Sequence, residues 1–309
     1  MCGGGRISPS DVLFLFPLHI MSQQPPPPVS SDAPGTVRIP LSPFHFIEVP
    51  EELQPLLDQP QDKDFEIHSI DRKIGPDGRD LVHSKLVIAG SQTRESFPEA
   101  DRFPIHFLKS YYPWSFHRDP KIEFENTLRA AEILGSPGPI GSDANSFRAS
   151  FLPGKPLSRL SPFTDVEPAE RCLSIAREAD IGVLIGLWKL AEEVHAKIAR
   201  LHEACFFHGD LELHNIIVCT APVQVFLIDF ENSEPDFDGD EAARGERAFT
   251  DFSELYRLAI YLQSGLGRQE GALARASLDA LPRLFRSSAT FASRLDAADR
   301  HASGSSRER

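Results

Sequence analysis

The 309 residues carry a formal net charge of −13, with 41% hydrophobic and 25% charged residues. That apolar content suffices for the core of one large domain or two lobes, whereas the acidic balance argues against nucleic acid and anionic membranes as general partners. The four cysteines, Cys2, Cys172, Cys205 and Cys219, form no C-x-x-C pair and no metal-ligand spacing, so reduced thiols in a cytoplasmic or nuclear protein are expected.

The chain opens with an apolar run at residues 12–20 that is too short to span a bilayer and lacks a small-x-small cleavage site. Met21 offers an alternative start. Residues 1–36, with the run Pro25 to Pro28, read as a disordered proline-rich leader that favours polyproline II. A sheet-rich lobe is expected over 37–150. Residues 65–70 and 81–88 alternate as strands around the turn Gly75-Pro76-Asp77-Gly78, and 105–111 follow as a third strand. An amphipathic helix is expected over 122–134, with Phe124, Leu128, Ala131, Ile133 and Leu134 as its apolar positions.

A larger, mainly helical lobe is expected over 151–294. Leu184, Leu187, Leu190, Ala191, Val194, Ile198 and Leu201 repeat at helical spacing, and that helix runs straight into His208. A second amphipathic helix is expected at 252–262 through Leu255, Leu258, Ala259 and Leu262. The acidic stretch between, from Glu234 to Glu246, reads as a solvated loop, or as a rim that attracts a cationic acceptor. Residues 295–309 read as a disordered tail.

The chemistry concentrates in His208-Gly209-Asp210-Leu211, Asn215 and Ile228-Asp229-Phe230-Glu231. Asn215 lies five residues after Asp210, and Asp229 fourteen after Asn215. Between them, apolar runs at 216–218 and 225–228 flank Thr220-Ala221-Pro222, so a hairpin is expected to carry Asn215 and Asp229 at its open end. Phosphoryl transfer needs a carboxylate at the acceptor hydroxyl and oxygen ligands for magnesium.

These residues resemble the protein-kinase-like superfamily, and within it the aminoglycoside- and choline-kinase-like branch and related fungal kinase-like proteins. Leu201-His202, Phe207-His208-Gly209-Asp210-Leu211 and Asn215-Ile216-Ile217-Val218 look like that branch's catalytic loop. The resemblance implies an α+β, two-lobed protein-kinase-like fold, with a small antiparallel-sheet lobe and a larger helical one. It implies Asp210 as catalytic base or hydroxyl-orienting residue, His208 as loop support, Asn215 as a catalytic-loop magnesium ligand and Asp229 as the second metal ligand. Lys109, on the third strand, resembles the lysine that places a point charge on the phosphates.

The pattern departs elsewhere. Thr127 stands where a glutamate is expected to orient Lys109, which leaves Glu123 and Glu125 as candidates of similar standing. Gly75 and Gly78 flank a turn in which Pro76 removes a backbone donor, so a nucleotide cover and a plain hairpin turn are both open. Phe151 and Leu152 occupy the position of an adenine-facing hinge, or of ordinary packing. Glu231 replaces the glycine after Asp-Phe, and Gly209 removes the arginine that reads activation-loop phosphate.

The resulting expectation is a kinase that moves the γ-phosphoryl group of ATP, with Mg2+, to a hydroxyl of a protein or small molecule. The alternative is a catalytically weak, pseudokinase-like nucleotide-binding or interaction scaffold. A metal-dependent hydrolase would have no use for Lys109, and no histidine pair has metal-ligand spacing.

Overall fold

The computed structural model describes residues 36–42, 45–114, 119–160, 169–220, 223–235 and 241–266. The apolar run at 12–20, the expected tail and the expected leader lie outside these, except that Thr36 opens a strand. The class is α+β. The chain forms two compact units: Gly154 and what precedes it, joined by Val218–Gln224 and Asp229–Glu231, and then Lys155–Ile217, Val225–Ile228 and Asn232 onward.

The first unit begins with an antiparallel pair, β1 (Thr36–Pro40) and β2 (Phe46–Pro50), which the sequence reading did not anticipate. Its alternating Ile39, Ile47 and Val49 are buried with Leu86, Ile88 and Ile105, and α1 (Gln54–Asp58) packs Leu56 and Leu57 on the same cluster. The main sheet has five strands: β3 (Phe65–Ile74), β4 (Asp80–Ile88), β5 (Ile105–Tyr111), β6 (Pro139–Asp143) and β7 (Ser146–Ser150). Their order is β3-β4-β5-β7-β6, and every neighbouring pair is antiparallel. β5 is therefore the middle strand, and five of its seven residues are buried. Two short helices, α2 (Ser91–Ser96) and α3 (Pro98–Arg102), connect β4 to β5.

A buried charged group ties the sheet across its strands. Arg148 Nη1 lies 2.6 Å from Asp64 Oδ2 and 3.2 Å from His106 Nε2, while Asp64 Oδ1 accepts the Gly90 N–H at 2.9 Å. Burial, with the Arg148 charge beside it, pushes His106 down to about 4.

Helix α4 (Pro120–Leu134) follows β5. Asp119 caps it by accepting the Lys121 N–H at 2.9 Å, Pro120 presets its first turn, and Gly135 ends it at φ 66°, a conformation glycine adopts without strain. Its buried side matches the expected apolar stripe only at Ala131 and Leu134. Glu123, Asn126, Ala130, Ala131 and Leu134 are buried, whereas Ile122 and Leu128 are 42% and 41% exposed. Two polar residues occupy the inner face because their partners, described below, are there.

The second unit is mainly helical. After β8 (Lys155–Pro156) and α5 (Leu157–Leu160) come α6 (Ala169–Glu178) and α7 (Ile181–Glu203). Asp180 caps α7 by accepting the N–H groups of Gly182 and Val183. Leu184, Leu187, Ala191, Val194, Ile198 and Leu201 are buried as the spacing predicts, Leu190 is only half-buried, and Trp188 joins them. Beyond α7 run β9 (Phe206–Phe207), β10 (Ile216–Thr220), β11 (Val223–Leu227), β12 (Glu234–Pro235) and α8 (Glu241–Leu266). β12 pairs with β9, and β10 lies between β11 and β8.

Helix α8 starts eleven residues before the expected 252, so Glu241 and Glu246 of the acidic stretch are helical rather than loop residues. The reason is visible in its buried positions: Asp251, Leu255, Leu258 and Leu262 form one stripe, and its polar first member hid the helix's extent. Among the described residues no helix is long and apolar enough to cross a membrane. Cys172, Cys205 and Cys219 form no disulfide among the described residues, and burial pushes Cys219 up to about 12.

Candidate active site

In the first unit the candidate residues gather around one ammonium. Lys109 stands on the middle strand with 5% of its surface exposed. Its Nζ lies 3.2 Å from Glu123 Oε1, 2.8 Å from Asp229 Oδ1 and 2.8 Å from Glu231 Oε2. Burial alone would lower the pKa of Lys109, but the three carboxylates outweigh it and hold the pKa well above the ordinary value, so the group stays charged. Glu123 is pushed up to about 7 by burial, against the pull of Lys109 and with the charges of Asp229 and Glu231 adding to the rise. The Tyr111 hydroxyl donates to Glu123 and, at 3.4 Å, to Glu231; burial and Glu123 raise its pKa.

Glu123 therefore meets Lys109, and Glu125 does not. The Glu125 side chain is 61% exposed and lies 3.8 Å from Lys121, an exposed pair of little energetic weight. The physical reason is helical geometry: two positions apart, the side chains point roughly 200° away from each other.

Two features here were not read from the sequence. Asn126, one turn beyond Glu123, donates through Nδ2 to the Phe230 carbonyl at 3.0 Å and so fixes the backbone between Asp229 and Glu231. Asp229 itself has φ 64°, a left-handed conformation that costs a non-glycine residue about 1 kcal/mol or more and marks a constrained position.

The remaining first-unit candidates sit differently. Gly75 N–H donates to Arg79 O at 2.7 Å, Gly78 N–H to Gly75 O at 3.0 Å and Arg79 N–H to Asp77 Oδ1 at 3.1 Å. Three donors of the β3–β4 turn are thus used inside the turn. Phe151 packs against the cluster of Ile39, Leu86 and Ile105, and Leu152 accepts the Gly154 N–H at 2.8 Å.

In the second unit the candidate loop hangs from one buried carboxylate. Asp251 Oδ2 accepts the His208 N–H and lies 2.8 Å from His202 Nε2, while Oδ1 accepts the Gly209 N–H, all at 2.8 Å. Asp251 is fully buried. His208 is also fully buried, with Nε2 2.9 Å from the Ile228 carbonyl and its own carbonyl accepting from Ser233 Oγ at 2.9 Å.

Asp210 follows this anchored pair. Its carbonyl accepts Asn215 Nδ2 at 2.8 Å, and its Oδ2 accepts Asn232 Nδ2 at 3.3 Å. Asn215 ends a 3-10 turn, Leu213–Asn215, and its carbonyl accepts the Ile228 N–H at 3.0 Å. Asp251 and Asn232 escaped the sequence reading. The signal for Asp251 was present, since a carboxylate heading an apolar stripe is unusual without a partner; for Asn232 there was none beyond its closeness to Asp229.

Carboxylate oxygens of Glu123, Asp229 and Glu231 lie within 4.8 Å of one another. Hard oxygen donors of this kind suit Mg2+. The donor set therefore fits the cation that the sequence resemblance implies, and Lys109 supplies the positive charge that these groups already share.

The sequence model of the Lipopolysaccharide kinase (Kdo/WaaP) family matches residues 188–273, a stretch that contains His208, Asp210, Asn215, Asp229 and Asp251. Among solved structures, the Rio2 kinase-ADP/Mg2+-phosphoaspartate complex from Chaetomium thermophilum is similar at 13% identity, covering 88% of this chain and 83% of that one, with a TM-score of 0.36. No curated protein sequence matches the chain.

Proposed function

We propose that the chain is an ATP-dependent phosphotransferase of the protein-kinase-like type, transferring the γ-phosphoryl group to a hydroxyl. One observation carries this reading: a buried strand lysine, Lys109, is paired with a glutamate of the following helix, Glu123, and with Asp229. A buried ammonium held by carboxylates at this position has a clear use in gripping phosphate oxygens. The kinase family matched over residues 188–273 supports the same chemistry.

In this reading Asp210 orients the acceptor hydroxyl and takes its proton. The hydrogen bond from Asn232 holds one oxygen of Asp210, leaving the other for the acceptor. Asn215 gives its amide nitrogen to the Asp210 carbonyl, which turns its amide oxygen into the ligand atom. Asp229 in the first unit and Asn215 in the second are each proposed as magnesium ligands, and the ion when bound would supply charge neutralisation for phosphate oxygens. Asp251 keeps the backbone of His208 and Gly209 fixed, so Asp210 is presented without reorganisation.

The acceptor is a hydroxyl of a protein or of a small molecule. The acidic residues between Glu234 and Glu246 favour a cationic acceptor, and reduced cysteines favour the cytoplasm. A second reading, a nucleotide-binding scaffold with little turnover, is favoured by the closed turn at Gly75–Arg79, three of whose N–H donors are used internally. Transfer of labelled γ-phosphate to a panel of proteins and metabolites, with Asp210→Asn as the blank, tests the proposal. Transfer by the natural chain and not by the variant supports the enzyme; metal-dependent nucleotide binding with no transfer above the blank supports the scaffold.

A further inference from the structure

Lys109 has three ammonium hydrogens and three carboxylate partners. Two of these have assigned work in the reading above: Glu123 orients the lysine and Asp229 holds metal. Glu231 has none. Its Oε2 accepts from Lys109 at 2.8 Å and from the Tyr111 hydroxyl at 3.4 Å, and its side chain is 12% exposed.

A phosphate oxygen is an acceptor of the same kind as a carboxylate oxygen, anionic and short-ranged toward an ammonium. With each hydrogen of Lys109 taken, a nucleotide phosphate reaches the lysine only by replacing a carboxylate. Glu123 is 2% exposed and also bonded by Tyr111, so it is poorly placed to leave. Asp229 has a single methylene between its carboxylate and a backbone whose next carbonyl is fixed by Asn126. Glu231 has one more rotatable bond and withdraws by side-chain rotation alone.

We propose that Glu231 is an internal stand-in for phosphate on Lys109, an autoinhibitory contact that the nucleotide displaces. This inference rests on the nucleotide-binding reading. It also explains the charge at the site: three carboxylates face one ammonium, so an incoming polyphosphate meets net negative charge until one carboxylate is removed or neutralised. The consequence is a chain whose resting affinity for ATP is held down by its own side chain.

The test is calorimetric titration of the full chain with ATP, in the presence of Mg2+ and in its absence, comparing the natural protein with Glu231→Gln and Glu231→Asp. Glutamine keeps the shape and removes the charge; aspartate keeps the charge and shortens the reach. Both variants are expected to bind ATP more tightly, Glu231→Gln by about tenfold, with the larger gain in metal-free buffer. Thermal unfolding of each variant checks that it is folded. Equal affinity in folded variants and natural chain overturns the stand-in and leaves the nucleotide reading intact. Weaker Mg-ATP binding by Glu231→Gln also overturns it, because Glu231 would then be helping to hold the metal-bound nucleotide. No nucleotide binding by any folded form overturns the stand-in and the nucleotide reading together.

Discussion

A Cβ atom on Gly209 would lie 2.4 Å from the carbonyl oxygen of Asn232. Gly209 also has φ 80°, so two independent restrictions fall on the residue before Asp210. Gly209→Ala is expected to destabilise the chain by about 2 kcal/mol, from the left-handed conformation and the forced shift of the Asn232 backbone. Urea unfolding measures the loss. Because Asn232 is also the donor to Asp210, turnover should fall by more than the unfolded fraction accounts for.

That steric fact corrects a sequence-level view of the same position. In the sequence, Gly209 is legible only as the absence of an arginine; in the structure, no side chain fits there. The strand of Lys109 and the helix before His208 were legible because period-two and period-3.6 patterns are written in apolar residues. Helix α4 was legible as a helix but not in its facing, since the residues it buries include Glu123 and Asn126. Patterning assigns polar residues outward, and it fails where polar residues are turned inward for a partner. Asp251 was missed for the same reason, and the partners of Glu231 and Asn232 were missed because they are set by loop conformation.

Asp251 accepts three donors through two oxygens. Asp251→Asn replaces one acceptor oxygen by an amide that confronts N–H groups, so at least one buried donor loses its partner. A loss of about 2–3 kcal/mol is expected. Amide hydrogen exchange offers the specific readout: His208 and Gly209 should exchange faster in the variant, whereas the amides of β5 should not.

Glu123 and Glu125 give opposite expectations from neighbouring carboxylates. Glu123→Gln weakens the hold on a buried ammonium, and ATP affinity should drop by about tenfold. Glu125 lies in an exposed pair with Lys121, so Glu125→Gln should change stability by no more than about 0.5 kcal/mol and leave ATP affinity unchanged. Parallel titrations of the two variants check this.

His106 links stability to pH. Its pKa is about 4 in the folded chain against an ordinary 6.5, so between those values the unfolded state binds a proton that the folded state refuses. Its contribution is fully present above pH 6.5 and is lost as pH falls toward 4. A gap of that size corresponds to about 3 kcal/mol. Urea midpoints of the natural chain should decline over this window, and the decline should be shallower in His106→Gln.

The central claim is phosphoryl transfer that depends on Asp210. The most direct test measures transfer of the labelled γ-phosphate of ATP to an acceptor by the natural chain and by Asp210→Asn, with nucleotide binding followed in both. The account predicts transfer that falls by about 10²- to 10⁴-fold in the variant while ATP binding persists. Equal transfer by the two proteins, or none from the natural chain to any acceptor despite bound Mg-ATP, would contradict it.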